Sequence, residues 1–407
     1  MKHPSIRNYR CWICALTVAW GVFVDGVVAD PPSFMQKAAP EHVRVLCYNI
    51  NWDSIFPDDD PDNHPYRDYN MVVEFRRVVT AVNPDIVCLQ EINWDRDPQD
   101  VADILDEEIP LGGGETWRAH NGSDNVIAAR WDLLMLATDT DPTTNRGQAM
   151  ALVELPDDAY RFDLYLMNAH FKAGGSATDI NRRKQHAAAI IHWIGDIKTP
   201  GGEIDLPTDT PIVVLGDLNV YDTDPHEHLA TLITGDIDPL YEGTYGPDLP
   251  PDWDDTDNTD ALPLHNGVGP DFYTWRADGG SYNPGALDRV IYTDSTFSVG
   301  NSYVLNTTSM TANDLQDAGL EFYDVVIDPP GYYDHLPLIV DFVVPAKLLG
   351  DWDNDGDVDV LDFAEFPACL TGPDGSPLLP GCPVFDFDTD DDVDLVDFVG
   401  FQNAFTG

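Results

Sequence analysis

Short runs of β-branched and aliphatic residues alternate with stretches of helical periodicity from residue 43 to about residue 345. Residues 43–50 and 85–90 have the continuous apolar character of buried strands. Between them, the spacing of Val72, Phe75 and Val79 predicts a helix over residues 69–82. Asn83-Pro84 ends this helix, because proline lacks the backbone donor and clashes with the preceding turn.

The same pattern continues through the rest of this region. It predicts strands over residues 125–137, 149–155, 162–170 and 211–217, and a helix over residues 181–194. Many short strands with only two or three helices are typical of an α/β sandwich, in which two sheets pack face to face. We therefore expect a two-sheet α/β sandwich.

The composition changes abruptly at residues 345–347. No Lys or Arg follows Lys347, whereas fifteen acidic residues do. Such a change is typical of a domain boundary. We expect a main domain over residues 40–345 and a small module over residues 348–407.

Residues 1–29 have the features of an export signal. A basic segment with Lys2, Arg7 and Arg10 precedes an apolar stretch over residues 11–24, and small residues lead up to Ala29. A membrane anchor is less favoured, because the apolar stretch is too short to span a bilayer comfortably. We expect a secreted protein, periplasmic or extracellular, without stable membrane insertion after cleavage.

The chain is strongly acidic, with 72 Asp and Glu against 21 Lys and Arg and a net charge of −51. Binding of a polyanion by bulk electrostatics is therefore not expected. An acidic surface suits a secreted or salt-tolerant protein, and solubility alone explains it equally well.

The cysteines fall into two pairs after the signal. Cys47 and Cys88 lie in predicted core strands, where we expect buried thiols, with a bridge as the alternative in an oxidising compartment. Cys369 and Cys382 are expected to form a local disulfide, and neither pair has the spacing of a zinc site.

The C-terminal module contains a repeat with an offset of 35 residues. Aspartates in each copy occupy positions 1, 3, 5, 7, 9 and 12 of a loop, the oxygen spacing that a calcium loop of the EF-hand type needs. Gly356 takes position 6 in the first loop, and Asp391 replaces it in the second, which predicts a strained or weaker second site. The alternative is a disordered acidic tail. The predicted calcium ligands are Asp351, Asp353, Asp355, Asp357, Asp362, Asp386, Asp388, Asp390, Asp392 and Asp397, with Asp359 and Asp394 at position 9.

An Asp at position 12, a helix after it and the duplication together resemble type I dockerin modules over residues 350–407. The resemblance implies a small all-α module with EF-hand-like calcium loops that organise a helix pair. It also implies a cohesin-like partner for that module.

Candidate chemistry lies in the main domain, where most of a set of polar residues follow the ends of apolar runs. Asp334-His335 is placed at the end of the last strand. An Asp, a Glu and two Asn can hold one divalent cation and a phosphate, and two His with an Asp can move a proton. The set predicts a metal-dependent phosphoester hydrolase and consists of Asn49, Glu91, His170, Asp217, Asn219, Asp288, Asp334 and His335.

Six motifs around these residues, in this order, resemble the endonuclease/exonuclease/phosphatase superfamily over about residues 40–345. The resemblance implies a DNase I-like fold and hydrolysis of phosphoesters. The motifs are Cys-Tyr-Asn49, Cys-Leu-Gln-Glu91, Asn168-Ala-His170-Phe-Lys, Gly-Asp217-Leu-Asn219, Ala-Leu-Asp288-Arg and Tyr-Asp334-His335-Leu-Pro.

The resemblance, together with the chemistry of each side chain, implies a role for each residue. Glu91 is the main ligand of Mg²⁺ or Mn²⁺, with Asn49 and Asp334 close enough to assist. Asp217 orients or deprotonates the attacking water, and Asn219 holds water or a phosphate oxygen. The number of metal ions and the identity of the base stay open.

The histidines complete the implied site. His335 contacts the phosphate or moves the proton, while Asp288 fixes its tautomer. His170 donates to the phosphate as charge develops. As alternatives, Asn49 and Asn219 suit turns, and Asp288 suits a surface position beside Arg289.

Other polar residues carry no argued role. Lys172 and Arg182 contact substrate phosphate or are solvated helix residues. Other histidines are expected at the surface, among them His64, His120, His186, His226, His228 and His265.

Two classes of function remain. The first is a secreted, magnesium-dependent phosphodiesterase or phosphomonoesterase, acting on nucleic acid, a phospholipid headgroup or a small phosphoester. The second is a catalytically degenerate, calcium-dependent extracellular binding or matrix protein. The complete motif set favours the enzyme, and loops that the pattern does not describe decide the substrate.

Overall fold

The computed structural model describes residues 30–56, 71–140, 146–157, 159–221, 227–276, 283–325, 335–373, 375 and 377–406. The strands are β1 (Val43–Asn49), β2 (Ile86–Gln90), β3 (Arg118–Gly122), β4 (Asn125–Ala129), β5 (Leu133–Thr140), β6 (Gly147–Val153), β7 (Leu164–His170), β8 (Ile212–Asp217), β9 (Thr259–Asp260), β10 (Asp288–Tyr292), β11 (Ser298–Val304) and β12 (Leu338–Val343). The α-helices are α1 (Val72–Val82), α2 (Gln99–Glu108), α3 (Ala177–Ile197), α4 (Glu227–Thr234), α5 (Glu242–Tyr245), α6 (Ala312–Ala318), α7 (Val360–Cys369) and α8 (Leu395–Ala404).

The strands form two six-stranded sheets of similar design. The first has the order β11-β12-β1-β2-β4-β3, and the second has the order β5-β6-β7-β8-β10-β9. Each contains one parallel pair near its centre, β1 with β2 and β7 with β8, among antiparallel neighbours. The carboxyl ends of the two strands in each parallel pair lie together. Residues that follow these strand ends are therefore close to one another at one edge of each sheet.

Apolar side chains fill three layers around these sheets. One face of each sheet packs against the other, through residues such as Val45, Ile127, Leu166 and Leu215. The outer face of the first sheet is covered by α1 and α2, and that of the second by α3 and α4. The predicted two-sheet α/β sandwich is confirmed.

A buried polar contact joins the two sheets close to the site edge. Gln90 Nε2 donates to Asn168 Oδ1 over 2.6 Å. Asn168 Nδ2 in turn donates to the backbone carbonyls of Leu89 and Val126, each over 2.9 Å. Because both side chains are buried and mutually satisfied, they fix how β7 sits over β2 and β4.

Two predicted elements differ from the structure. The single strand over residues 125–137 is wrong, because the chain leaves the first sheet after β4 and enters the second as β5. The break lies at Arg130, whose guanidinium binds Asp85 over 2.7 Å. Helix α3 begins at Ala177, earlier than predicted, because Ser176 and Asp179 form a capping box.

The C-terminal module has its own small apolar cluster, built around Phe366, Phe385 and Phe401. The predicted disulfide between Cys369 and Cys382 is confirmed. Cys47 and Cys88 are buried free thiols that face each other in the register of β1 and β2.

Among the described helices, none is both long and apolar enough to cross a bilayer. The predicted export signal over residues 1–29 lies outside the described residues.

Candidate active site

The strand ends bring most of the predicted site residues to one edge of the sandwich. Asn49 ends β1 and Glu91 follows β2, while His170 ends β7 and Asp217 ends β8. Asp288 begins β10, which runs antiparallel to β8, and pairs in register with Asp217. The first sheet therefore supplies one half of the site, and the second sheet supplies the other.

Asp217 lies at the centre of this edge and is 2 % exposed. Its Oδ2 accepts from Asn49 Nδ2 over 3.1 Å, and its Oδ1 accepts from the Asn219 backbone N–H over 3.0 Å. Oδ2 also lies 3.4 Å from Nε2 of His170 and 3.6 Å from Nε2 of His335. Burial raises the pKa of Asp217, but His335, His170 and Arg146 more than offset it, so the pKa is lowered. The carboxylate is therefore ionised.

His335 is held by Asp288. The imidazole Nδ1 donates to Asp288 Oδ2 over 2.7 Å, and this fixes the tautomer. Burial raises the pKa of Asp288, while the charge and hydrogen bond of His335 oppose the rise. Asp288 is 2 % exposed, and Arg289 pairs instead with Asp260 over 2.8 Å. The surface alternative for Asp288 is therefore wrong.

His335 does not end a strand as expected. It precedes β12, and an isolated bridge to Trp275 places it beside the edge. Asp334, the third predicted metal ligand, lies outside the described residues.

His170 is held by an acid that the sequence did not mark. Its Nδ1 donates to Asp124 Oδ2 over 2.8 Å. Burial lowers the pKa of His170, but Asp124 offsets this and the pKa is raised. Asp124 lies in the hairpin turn between β3 and β4, where its residue type suggests turn chemistry alone.

Arg146 is the second residue that the sequence did not mark. Its guanidinium contacts His170 Nε2 and donates to the Phe171 carbonyl over 2.9 Å. It stands directly before β6 with no local pattern around it. Only the packing of β6 beside β7 brings this positive charge to the edge.

Glu91 adopts a left-handed backbone conformation, with φ of 64°. A non-glycine residue pays of the order of 1 kcal/mol or more there, so such strain points to a functional position. Its carboxylate Oε1 lies 3.9 Å from His170 Nε2, and its backbone carbonyl accepts from the Asp53 N–H over 2.9 Å.

The two asparagines serve both the backbone and the site. Asn219 has φ of 52°, so the turn interpretation holds for it. Its Nδ2 also donates to the Phe171 carbonyl over 3.0 Å, and its Oδ1 accepts from the Tyr221 hydroxyl over 2.8 Å. Asn49 Oδ1 accepts from the Asn51 N–H over 3.0 Å.

Two basic residues after His170, Lys172 and Arg183, are already engaged by protein groups. Arg183 is fully buried and donates to the carbonyls of Lys172 and Gly174, over 2.8 and 2.7 Å. Lys172 Nζ donates to the Ala173 carbonyl and lies 3.8 Å from Asp179.

Three histidines expected at the surface are buried, so that expectation is wrong for them. The ring of His186 stacks on Phe171, with 4.2 Å between centroids. His228 Nε2 lies 3.1 Å from the Leu218 carbonyl, and His265 Nε2 lies 2.7 Å from the Tyr273 carbonyl. His120 is half-buried, while His64 and His226 lie outside the described residues.

The donor set at the edge fits a hard divalent cation. The carboxylates of Glu91, Asp124, Asp217 and Asp288 outnumber the one guanidinium and two imidazoles that face them. Oxygen-rich sites with excess negative charge are those that Mg²⁺ and Mn²⁺ prefer. Among the described residues, ligand atoms of Asp217, Asp288 and His335 lie within 4.8 Å of one another, and Glu91 is outside this group.

The aspartate loops of the module are folded around their first and last residues. In the first loop, Asp351 accepts from the N–H groups of Asp355 and Gly356, over 3.1 and 3.0 Å. Asp362 accepts from Trp352 over 2.6 Å and from Asp359 over 2.7 Å. Both residues are buried.

The second loop repeats this arrangement. Asp386 accepts from Asp390 and Asp391, over 3.2 and 3.1 Å, and Asp397 accepts from Phe387 and Asp394, each over 2.7 Å. Asp carboxylates gather within 4.8 Å in both loops, which fits the oxygen coordination of Ca²⁺. These groups are Asp351 with Asp353 and Asp355, Asp357 with Asp359 and Asp362, Asp386 with Asp388 and Asp397, and Asp392 with Asp394 and Asp397.

Comparison with known proteins gives one family and several similar solved structures. The sequence profile of the Endonuclease/Exonuclease/phosphatase family matches residues 46–309. The human Nocturnin catalytic domain with bound sulfate is 15% identical over 75% of this chain and 95% of that chain, with a TM-score of 0.45. A humanized D. rerio TDP2 is 15% identical over 75% of this chain and 100% of that chain, with a TM-score of 0.44. An endonuclease/exonuclease/phosphatase from Beutenbergia cavernae is 16% identical over 75% of this chain and 72% of that chain, with a TM-score of 0.44. No curated protein matches the sequence.

Proposed function

The chain belongs to the endonuclease/exonuclease/phosphatase family, and we propose that it is a metal-dependent phosphoesterase that cleaves phosphodiester bonds by attack of water. One observation carries the proposal. Two histidines, each held by its own buried or half-buried acid, converge on the ionised carboxylate of Asp217 at an oxygen-rich edge. A degenerate binding protein has no need of such an arrangement.

Glu91, with Asn49 and Asp334, would hold Mg²⁺ or Mn²⁺. When bound, the cation polarises a phosphoryl oxygen and neutralises charge that develops on it. Glu91 suits this role because its strained backbone places a hard carboxylate at the edge, where its Oε1 lies 3.9 Å from His170 Nε2.

Asp217 orients the attacking water and accepts its proton. Its two oxygens are fixed by Asn49 and by the Asn219 N–H, so a water bonded to it has a defined position. Its lowered pKa keeps it in the accepting form at neutral pH.

The histidines divide the work on the phosphate. His335, with Nδ1 committed to Asp288, uses Nε2 to contact the phosphate or to transfer the proton. His170 has a raised pKa through Asp124, and it donates to the phosphate as charge develops. Arg146, which contacts His170, adds a fixed positive charge for the same oxygens.

The substrate class is a phosphodiester of nucleic acid, of a phospholipid headgroup or of a small molecule. The test is a panel assay of the purified full chain on DNA, RNA, sphingomyelin and a chromogenic phosphodiester, with Mg²⁺, with Mn²⁺ and with chelator. We expect turnover of at least one substrate that is lost in chelator and in Glu91→Gln. Turnover that is unaffected by chelator, or no turnover of any substrate, would contradict the proposal and favour the binding protein.

We further propose that residues 348–407 form a dockerin-like module with a calcium ion in each loop and a cohesin-like partner. The repeated hydrogen-bond pattern around Asp351 and Asp362, and around Asp386 and Asp397, supports one site in each loop. Isothermal titration calorimetry of the full chain at saturating Mg²⁺ should detect two calcium ions. Heat for none would contradict this part of the proposal.

The other assignments stay proposals of the same kind. Residues 1–29 are proposed as an export signal and residues 40–345 as the catalytic domain, in a secreted, periplasmic or extracellular protein. Mass spectrometry of the mature chain from its native cells would test the first of these, since cleavage near residue 29 is expected. An intact N-terminus would contradict it.

A further inference from the structure

The first aspartate loop, residues 351–362, is seated on a corner of the catalytic domain. The corner is formed by residues 159–162, between β6 and β7. Asn354, at position 4 of the loop, donates from Nδ2 to the Arg161 carbonyl over 2.7 Å. The Asn354 carbonyl accepts from Arg161 Nε over 2.9 Å. Asn354 and Arg161 thus each donate one hydrogen bond to the other and accept one from it.

The linker grips the same corner. Tyr160 and Ala346 form an antiparallel bridge, and the Arg161 N–H donates to the Pro345 carbonyl over 2.8 Å. Lys347 Nζ then donates to Asn354 Oδ1 over 3.3 Å. The corner, the linker and the first loop therefore form one hydrogen-bonded joint.

Gly356 shows how closely the corner approaches the loop. A Cβ at this position would overlap the Arg161 guanidinium, which Asn354 holds in place. The second loop, residues 386–397, has Asp391 at the same position with φ of 66°, against 95° for Gly356. The two loops therefore differ at position 6 in backbone angle, and at Gly356 the Arg161 guanidinium also occupies the space that a side chain would need.

The second loop offers an internal comparison for position 4. Thr389 takes the place of Asn354 and has a similar φ, 59° against 61°. Its hydroxyl donates to the carbonyl of Asp388, within its own loop, over 2.8 Å. The two loops therefore share their aspartates and differ in what position 4 binds.

From these contacts we propose that calcium in the first loop locks the module onto the catalytic domain through Asn354 and Arg161, whereas calcium in the second loop does not. The inference rests on the proposed calcium binding. Asp351 holds the N–H groups of Asp355 and Gly356, which follow Asn354 directly. A cation that orders these aspartates also orders the backbone that carries Asn354. Binding that fixes one side of a joint stabilises what is attached to the other.

The position of the joint separates this effect from catalysis. Arg161 precedes the amino end of β7, and His170 stands at its carboxyl end. A strand of this length spans roughly 20 Å at about 3.3 Å per residue. Calcium in the first loop should therefore change the stability of the catalytic domain without changing its turnover.

The test is thermal unfolding of the full chain at fixed, saturating Mg²⁺, with and without calcium. Intrinsic fluorescence follows mainly the catalytic domain, because Trp352 is the one tryptophan among residues 348–407. The variants are Arg161→Ala, Asn354→Ala and the matched control Thr389→Ala. We expect calcium to raise the midpoint by a few degrees in the wild type and in Thr389→Ala. In Arg161→Ala and Asn354→Ala, most of that rise should be lost.

Titration calorimetry on the same four proteins tests calcium binding separately from the effect of calcium on the joint. Position 4 is not a ligand position, so all four should bind two calcium ions. An equal calcium-induced rise in all four would overturn the joint, because the calcium would then act elsewhere, such as at the catalytic edge. Loss of the rise in Thr389→Ala as well would also overturn it. No calcium binding in the wild type would instead overturn the proposed calcium sites.

Discussion

The catalytic edge and the aspartate loops are both clusters of carboxylates, yet they balance their charge in different ways. At the edge, Asp217 faces two imidazoles and lies in the field of Arg146, and Asp288 binds His335. In the loops, carboxylates accept mainly from backbone N–H groups and face one another. Imidazolium and guanidinium groups of the protein therefore offset part of the charge at the edge, whereas the charge of the loops is left for the calcium ions that we propose.

The pKa directions express this difference. The pKa of Asp217 is lowered, because His335, His170 and Arg146 outweigh its burial. The pKa of Asp353 is raised by desolvation and then by Asp355, and the pKa of Asp388 is raised in the same way by desolvation and Asp390. The ionised form is therefore favoured at Asp217 and disfavoured at Asp353 and Asp388.

The largest expected effect is on turnover at the edge. Glu91→Gln and His335→Asn should each lower kcat/KM by about 10²–10⁴, because each removes one group that acts on the phosphate or holds the cation. The unfolding midpoint should change little, since both replacements keep a polar side chain of similar size. His192→Ala, on an exposed site of α3, is the control. Near wild-type rates in both variants would contradict the proposal that the edge is the active site.

Replacing a proposed calcium ligand in the loops should lower calcium affinity and leave turnover unchanged. Asp362→Ala should weaken calcium binding at the first loop on the order of 10²-fold, because the number of charged ligands sets the affinity. Magnesium-dependent turnover should persist. Titration calorimetry measures the first quantity and the panel assay the second. The control is Glu365→Ala, an exposed acid outside the ligand positions. Unchanged affinity in Asp362→Ala would show that the loop does not bind calcium through its position 12.

A finer comparison is possible within the edge, between the two acids that hold histidines. Asp288→Asn and Asp124→Asn should each lower kcat by about 10–10²-fold, less than loss of the histidines themselves. Each should also shift the pH–rate profile, because the imidazolium loses its partner and its pKa falls. Asp257→Asn, an exposed acid, should do neither. A lower rate with an unmoved pH profile would indicate a structural role only.

The smallest effect is expected from salt. Arg183 is buried against carbonyls and Lys172 lies beside Asp179, so these two basic residues are engaged by protein groups already. The acidic surface should repel DNA, and screening should relieve that repulsion. We expect kcat/KM on DNA to be flat or to rise slightly up to about 0.15 M salt, where the Debye length is roughly 8 Å.

A small phosphodiester measured in the same salt series provides the reference, and its kcat/KM should hardly change. A steep loss of DNA cleavage with salt would show counterion release from a local basic groove. That result would favour a dedicated nuclease and would contradict the expectation that the acidic surface repels DNA.

The sequence was sufficient for the parts of the site that strand ends position. Asn49, His170 and Asp217 each end a strand whose apolar run is visible locally, and the sheet order then brings them together. Asp124 and Arg146 could not be found in this way. They stand in a turn and before a strand, and only pairing between distant strands gives them a neighbour.

The misplaced elements have a similar origin. The run over residues 125–137 continues in apolar character while the chain passes from one sheet to the other at Arg130. His186 and His228 read as polar surface residues, yet one stacks on a ring and the other meets a backbone carbonyl. In each case a contact between residues distant in sequence determines the structure. The local pattern of apolar and polar residues does not predict such contacts.

The site is shared between two sheets that meet at that edge through side-chain contacts such as that of Asn49 with Asp217. Asn49 and Glu91 ride on one sheet, His170 and Asp217 on the other, and the buried pair of Gln90 and Asn168 sets their alignment. Displacement of reacting groups by 1 Å can cost about 10²-fold in rate. The rate of turnover should therefore be sensitive to sliding of one sheet relative to the other. A displacement too small to expose the core, and one that a probe of unfolding does not detect, would already lower turnover.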